Sequence, residues 1–156
     1  MHLKELRKQQ NLTQRECADY LGIPLRTYKD YENDESKREC LKYRYMMERL
    51  DRYGYIDEEH GILSRKEIER AVKEVLSDYR AEYCYLFGSY AKGTATERSD
   101  VDLLISAAVT GLSFYELTER LREELKKRVD VLNVSQLDGN PDLMNEILRD
   151  GIKIYG

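Results

Sequence analysis

The chain has 156 residues and carries 26 Lys and Arg against 30 Asp and Glu, a net charge of −4. That length holds one ordinary domain or two small ones, and no apolar run approaches the ~18 residues that a membrane span needs. A net acidic balance argues against a protein that binds nucleic acid over its whole surface. The balance is uneven, however. Residues 1–55 hold 12 Lys and Arg against 10 Asp and Glu, whereas residues 56–156 hold 14 against 20, which suggests two modules with different partners. Cys17, Cys40 and Cys84 are far apart and form no CxxC pair. Together with the lack of a secretory signal segment, this reads as reduced thiols in a cytoplasmic protein. His2 and His60 cannot make a metal cluster by themselves, and Asp57-Glu58-Glu59-His60-Gly61 reads as a solvated loop.

The first 53 residues read as short helices. Leu3, Leu6 and Gln10 share one helical face, and Asn11 breaks the pattern. Thr13 followed by Glu16 is a capping box, so a second helix runs from Gln14 to about Leu21, burying Cys17, Ala18 and Leu21. Gly22 closes it, and Ile23-Pro24 opens a third helix that runs to about Glu32. Asn33-Asp34-Glu35-Ser36 is a turn signal. A longer helix, about Lys37 to Arg52, carries Leu41, Tyr45, Met46, Arg49 and Leu50.

Residues 54–63 read as a linker. Ser64 and Glu67 form another capping box, with Ile68, Val72, Val75 and Leu76 giving a helical stripe. The period then changes: Tyr83-Cys84-Tyr85-Leu86-Phe87 is strand-like and ends in Gly88-Ser89. Val101 to Ile105 is a second strand. An amphipathic helix from about Ser113 to Lys127 turns Phe114, Leu117, Leu121 and Leu125 inward. Val129 to Val134 is a third strand, Asn140-Pro141 starts a last helix through Leu148, and Ile152 to Tyr155 is a short closing strand.

Two short helices joined at Gly22 by a tight turn are the layout of a helix-turn-helix. The third helix exposes Arg26, Thr27, Lys29 and Asp30, which would reach base edges in a major groove, while Gln14 and Arg15 at the start of the second helix would hold phosphates. The weakly basic balance also fits a small dimerisation domain without DNA binding.

Asp100 and Asp102, two apart on a strand, point to one face with Leu104, while Val101, Leu103 and Ile105 line the other. Paired carboxylates repel unless a cation sits between them, and hard cations such as Mg²⁺ prefer oxygen ligands. Asp130 sits similarly in the third strand. If that strand lies beside the second, three carboxylates converge as in two-metal nucleotidyl transfer. Gly88 lets the backbone approach a phosphate chain, and Ser89 with the following helix N-terminus donates hydrogen bonds to it. Lys92 and Arg98 flank this loop, either as partners of the leaving pyrophosphate or as plain exposed cations. Most of the 13 tyrosines read as amphipathic helix and strand positions, and Tyr90, next to the loop, reads either as one of these or as a platform for a base. A DxD pair alone also reads as a solvated strand end. It is the combination of strand, Gly-Ser, spacer, Asp-x-Asp and later strand Asp that carries the reading.

Leu86 to Gly93 with Ser99 to Ile105 resembles the minimal nucleotidyltransferase family of the polymerase-beta-like superfamily. Leu6-Arg7, Leu12-Thr13-Gln14, Ala18, Leu21-Gly22, Arg26-Thr27-Tyr28 and Tyr31-Glu32 resemble the Cro/cI-type (XRE) helix-turn-helix family. The fold implied is α+β: an all-α DNA-binding domain over 1–53, a linker over 54–63, and a small polymerase-beta-like α/β domain over 64–156. By resemblance, Gly88 and Ser89 hold the triphosphate. Asp100 and Asp102 bind two Mg²⁺ ions, and Asp130 binds the catalytic ion and helps deprotonate the acceptor. The resemblance further implies an antitoxin that transfers AMP from ATP to a tyrosine of a HEPN-type toxin. It would bind its operator DNA to repress its own operon, as a homodimer or as a hetero-oligomer with the toxin. Two alternatives remain at this point: a small-molecule transferase like the aminoglycoside-modifying enzymes, and a regulator that only binds nucleotide.

Overall fold

A computed structural model describes all residues, Met1–Gly156. The chain divides into two compact units, Met1–Tyr55 and Ile56–Gly156. No helix is long and apolar enough to cross a membrane.

The first unit is built from α1 (Leu3–Gln9), α2 (Gln14–Leu21), α3 (Leu25–Asn33) and α4 (Leu41–Asp51). The Thr13 hydroxyl accepts from the Glu16 amide and the Glu16 carboxylate from the Thr13 amide, which is the capping box that starts α2. Gly22 adopts φ +67, the left-handed geometry that stops α2 without Cβ strain. Leu3, Leu6, Leu12, Cys17, Ala18, Tyr28, Tyr43, Met46 and Leu50 form the core. The fourth helix starts later than the sequence suggests. Asp34 accepts from the Ser36 amide and caps a 3-10 turn at Glu35–Lys37, and α4 begins only after Cys40, whose sulfur accepts from the Tyr43 amide. Its inward stripe is accordingly Tyr43, Met46 and Leu50. Leu41 and Tyr45 face outward, 79% and 55% exposed.

The second unit comprises α5 (Arg65–Leu76), β1 (Tyr83–Phe87), α6 (Gly88–Lys92), β2 (Val101–Ser106), α7 (Leu112–Leu125), β3 (Val129–Asn133), α8 (Pro141–Asp150) and β4 (Ile152–Tyr155). The strands form one sheet in the order β3-β2-β1-β4. β1 runs antiparallel to β2 and β4, and β2 parallel to β3. Parallel neighbours need a crossover, and α7 supplies it. Period-two alternation separates the two faces of the sheet. Cys84, Leu86, Val101, Leu103 and Ile105 pack with α5 and α7 through Ile68, Val72, Leu117 and Leu121. Phe87 and Leu104 pack on the other face with Leu137 and Ile147, the latter from α8.

Residues 54–63 contain no helix or strand, and the side chains of Asp57, Glu58 and His60 are partly solvated as expected, yet the later part of this stretch is also bonded to the second unit. The Arg122 guanidinium pairs with Glu58 at 2.6 Å. The Gly61 amide donates to Glu97 Oε1 at 3.3 Å. His60 Nδ1 lies 2.8 Å from Asp57 Oδ1, and the His60 carbonyl accepts from Lys127 Nζ at 3.0 Å. A short polar stretch with Gly reads as a loop in sequence, but its backbone groups find partners in loops distant along the chain.

Candidate active site

The site is built where the first residues of β2 and β3 meet the turn after β1. The β2–β3 register pairs Asp102 with Asp130, and the β1–β2 register pairs Phe87 with Asp102. In a parallel pair, residues in register share a face, so Asp102 and Asp130 stand on the α8 side with Leu104. Gly88 follows at φ +70. A Cβ there would run into the Asp102 carboxylate, its Cγ only 3.0 Å away. The glycine is therefore needed to seat Asp102 under the turn, a role the sequence did not disclose.

Burial pushes the Asp102 carboxyl up to about 6. The charges of Asp130, Asp100 and Glu146 add to the rise, and the Lys92 ammonium opposes it. Asp100 sits just ahead of β2. Its Oδ1 lies 3.2 Å from Arg128 Nε, a pairing absent from the sequence reading. The three expected carboxylates thus share a neighbourhood but do not close on one point: no group of three His, Cys, Asp or Glu side chains converges closely enough to hold an ion. Three like charges repel, and Arg128 takes up one of them. The donor set still fits a hard divalent cation, because a half-buried carboxylate destabilised by like-charged neighbours is the arrangement that such a cation relieves.

Ser89 lies in α6, half-buried. Lys92, at the end of α6, pairs with Glu146 of α8 at 2.9 Å. Glu146 escaped the sequence reading because its partner is 54 residues away. Arg98 is exposed in the loop before Asp100. Tyr90 is not available to a base: its ring packs against the α5–α7 core and its hydroxyl accepts from the Leu63 amide at 3.5 Å. Lys127 is the other unexpected residue. It is fully buried, and its Nζ donates to the Glu97 carbonyl at 2.6 Å as well as to His60. Burial pushes its ammonium pKa down, against the pull of Asp57 and Glu97.

In the first unit, Arg15, Arg26 and Lys29 are exposed and Thr27 is half-buried on α2 and α3. Gln14 is engaged internally, its Nε2 3.3 Å from Glu32 Oε1. Glu32 also receives both Arg7 Nε and Nη2, at 3.0 and 2.9 Å. Asp30 is paired with Lys37.

Residues 70–156 match the family described as polymerase beta, nucleotidyltransferase. The chain belongs to this family. Residues 3–38 match a helix-turn-helix family. Among relatives of this nucleotidyltransferase, the candidate protein adenylyltransferase MJ1379 of Methanocaldococcus jannaschii is 34% identical over 57% of this chain and 93% of its own. The protein adenylyltransferase MntA of Thermococcus cleftensis is 32% identical over 60% of this chain and 99% of its own. MntA of Shewanella oneidensis is 29% identical over 49% of this chain and 55% of its own. A solved toxin-antitoxin complex with AMP-PNP contains a chain 27% identical, with a TM-score of 0.50 over 56% of this chain and 73% of that one. A candidate minimal nucleotidyltransferase of known structure gives 30% identity and a TM-score of 0.51 over 60% and 98%.

Proposed function

We propose that this nucleotidyltransferase is an antitoxin that moves AMP from ATP to a tyrosine hydroxyl of a HEPN-type toxin, and that its helix-turn-helix unit binds operator DNA and represses its own operon. The observation that carries the chemistry is the Asp102 carboxylate, seated under Gly88 and in register with Asp130. The protein acceptor is supported by relatives named protein adenylyltransferase that span little more than this catalytic unit, and by the likeness to a toxin-antitoxin chain crystallised with AMP-PNP.

In this reading Asp100, Asp102 and Asp130 would hold two Mg²⁺ ions, which would supply charge neutralisation at the α-phosphate of the transferred nucleotidyl group. Gly88, Ser89, Lys92 and Arg98 hold the triphosphate. Lys92 exchanges its Glu146 partner for phosphate oxygens. Asp130, exposed at the start of β3, takes the proton of the tyrosine hydroxyl as its oxygen bonds to the α-phosphorus. The bond from that phosphorus to the bridging oxygen breaks, and pyrophosphate leaves. Arg15, Arg26, Thr27 and Lys29 face DNA. Gln14, bonded to Glu32, acts by holding α2 rather than by reaching a phosphate. The unit works as a homodimer or within a toxin complex.

The test is to incubate the full chain with ATP, Mg²⁺ and the product of the adjacent gene, and to map added AMP by mass spectrometry. An adduct on a partner tyrosine, lost in D100A/D102A, is expected. A D100A/D102A variant that still neutralises the partner would overturn the enzymatic reading. An operator fragment bound by the wild type but not by R26A/K29A is the corresponding result for DNA.

A further inference from the structure

Lys126-Lys127-Arg128 is a run of three cations at the end of α7, yet the middle one is fully buried. Its Nζ donates to the carbonyls of Glu97 and His60 at 2.6 and 3.0 Å. Glu97 lies three residues ahead of Asp100, and Lys127 three residues ahead of Asp130. The neighbouring bonds tie the same strands together. The Val101 amide donates to the Arg128 carbonyl at 2.9 Å, Arg128 pairs with Asp100, and the Glu97 side chain accepts from the Gly61 amide. Within the loop, the Thr96 amide donates to Ser99 Oγ at 2.8 Å and the Ser99 amide to the Thr96 carbonyl at 3.1 Å. The loop is thus a closed turn, and the ammonium is the one side chain that bonds both its backbone, at the Glu97 carbonyl, and the His60 carbonyl.

Packing alone does not call for a lysine here. Burying a charge costs several kcal/mol in desolvation, and an apolar side chain of the same volume fills the space without that cost. What only the ammonium provides is two charge-assisted bonds to carbonyls on separate segments. We propose that Lys127 is a positioning residue of the active site: by joining the starts of β2 and β3 it fixes the spacing of Asp100 and Asp102 relative to Asp130, and so sets their joint affinity for a divalent cation. The inference rests on the carboxylate reading above.

The probe is Mn²⁺ alone, titrated into the full chain and followed by the electron paramagnetic resonance of the free ion, with circular dichroism and thermal unfolding in parallel. K127M is expected to keep its secondary structure, bind Mn²⁺ at least fivefold more weakly, and exchange the amides of residues 97–101 at least tenfold faster. K127R keeps the charge but moves the donors outward, and is expected to weaken Mn²⁺ at least threefold. It decides the matter if K127M fails to fold. A merely structural lysine would lower the melting temperature and leave the Mn²⁺ affinity of the folded protein within twofold, and that result overturns the proposal. D102N separates the two levels. If it binds Mn²⁺ like the wild type, the carboxylate reading itself falls and this inference with it. If D102N loses Mn²⁺ while K127M and K127R do not, only the role of Lys127 falls.

Discussion

Gly88 and Asp102 occupy mutually dependent positions: the turn residue has φ +70, and a Cβ on it would meet the Asp102 carboxylate, with Cγ at 3.0 Å. G88A therefore combines two faults. Left-handed backbone costs a non-glycine residue about 1–2 kcal/mol, and the new methyl must push the carboxylate aside. A displacement near 1 Å at reacting groups costs on the order of 100-fold in rate. Urea unfolding of G88A is expected to show the stability loss, and nucleotidyl transfer to fall by roughly that factor. A variant with lowered stability but transfer within threefold of the wild type would show that Asp102 tolerates the shift.

The electrostatics of Asp102 predict an inverted pH response. Burial, then the charges of Asp130 and Asp100, hold its carboxyl at about 6 in the folded protein, against an ordinary aspartate value near ~3.9. Between those values the folded state keeps a proton that the unfolded chain has lost. Stability from this group is therefore present at low pH and declines as pH rises through 6. Solvent screening trims the effect, so D102N is expected to be more stable than the wild type by about 1–2 kcal/mol at pH 7.5, with the gap closing below about pH 4. Mg²⁺ should raise the wild-type melting temperature and leave that of D102N unchanged. Equal stability of the two proteins at every pH would remove the crowding of charge from the account.

Much of this fold was legible in the residues, because local rules decide it. Thr13 with Glu16 and Ser64 with Glu67 are capping boxes that set the starts of α2 and α5, and alternation alone assigned Leu104 and Leu103 to opposite faces of β2. What stayed hidden depends on long-range partners. A lysine between two cations at a helix end reads as solvated, and only the fold brings the Glu97 and His60 carbonyls to Lys127. Lys92 and Glu146 are joined by α6 meeting α8. Tyr90 beside the Gly-Ser turn reads as a base platform until α5 and α7 are seen to hold its ring. Helical periodicity places the start of α4 too early, because Asp34 and Cys40 cap successive turns and periodicity cannot register that competition.

The buried pair Arg7–Glu32 predicts how the helix-turn-helix unit fails in acid. The Glu32 side chain is 1% exposed and takes two bonds from Arg7. Burial pushes its carboxyl up, but the bonds and charge of Arg7, with the Gln14 bond, oppose it, and the pKa lies below the usual range. The stabilisation is full above the ordinary carboxylate pKa and is lost as pH falls through the lowered one. R7M leaves a buried carboxylate without its cation and is expected to cost about 3–5 kcal/mol, whereas R7M/E32L removes both charges and should recover most of that. Equilibrium unfolding of the full chain, followed by the first transition to move, reads both. A double variant no more stable than R7M would mean that the pair contributes more than mutual neutralisation.

Lys126 ends α7 at φ +56, a conformation that side chains other than glycine adopt at a cost. Its side chain is exposed, so K126G forfeits no buried contact. Relief of the left-handed strain, about 1–2 kcal/mol, outweighs the extra backbone entropy that glycine brings to the unfolded chain, roughly 0.5–1 kcal/mol. The net expectation is a gain of about 0.5–1 kcal/mol, seen as a higher urea midpoint at unchanged slope. The same variant also bears on Lys127, the next residue. A glycine loosens the backbone that delivers the buried ammonium to Glu97, so Mn²⁺ affinity is expected to hold only if the two carbonyl bonds, and not the rigidity of the helix end, fix that side chain. A destabilised K126G would show that the turn is held by its own side chain after all.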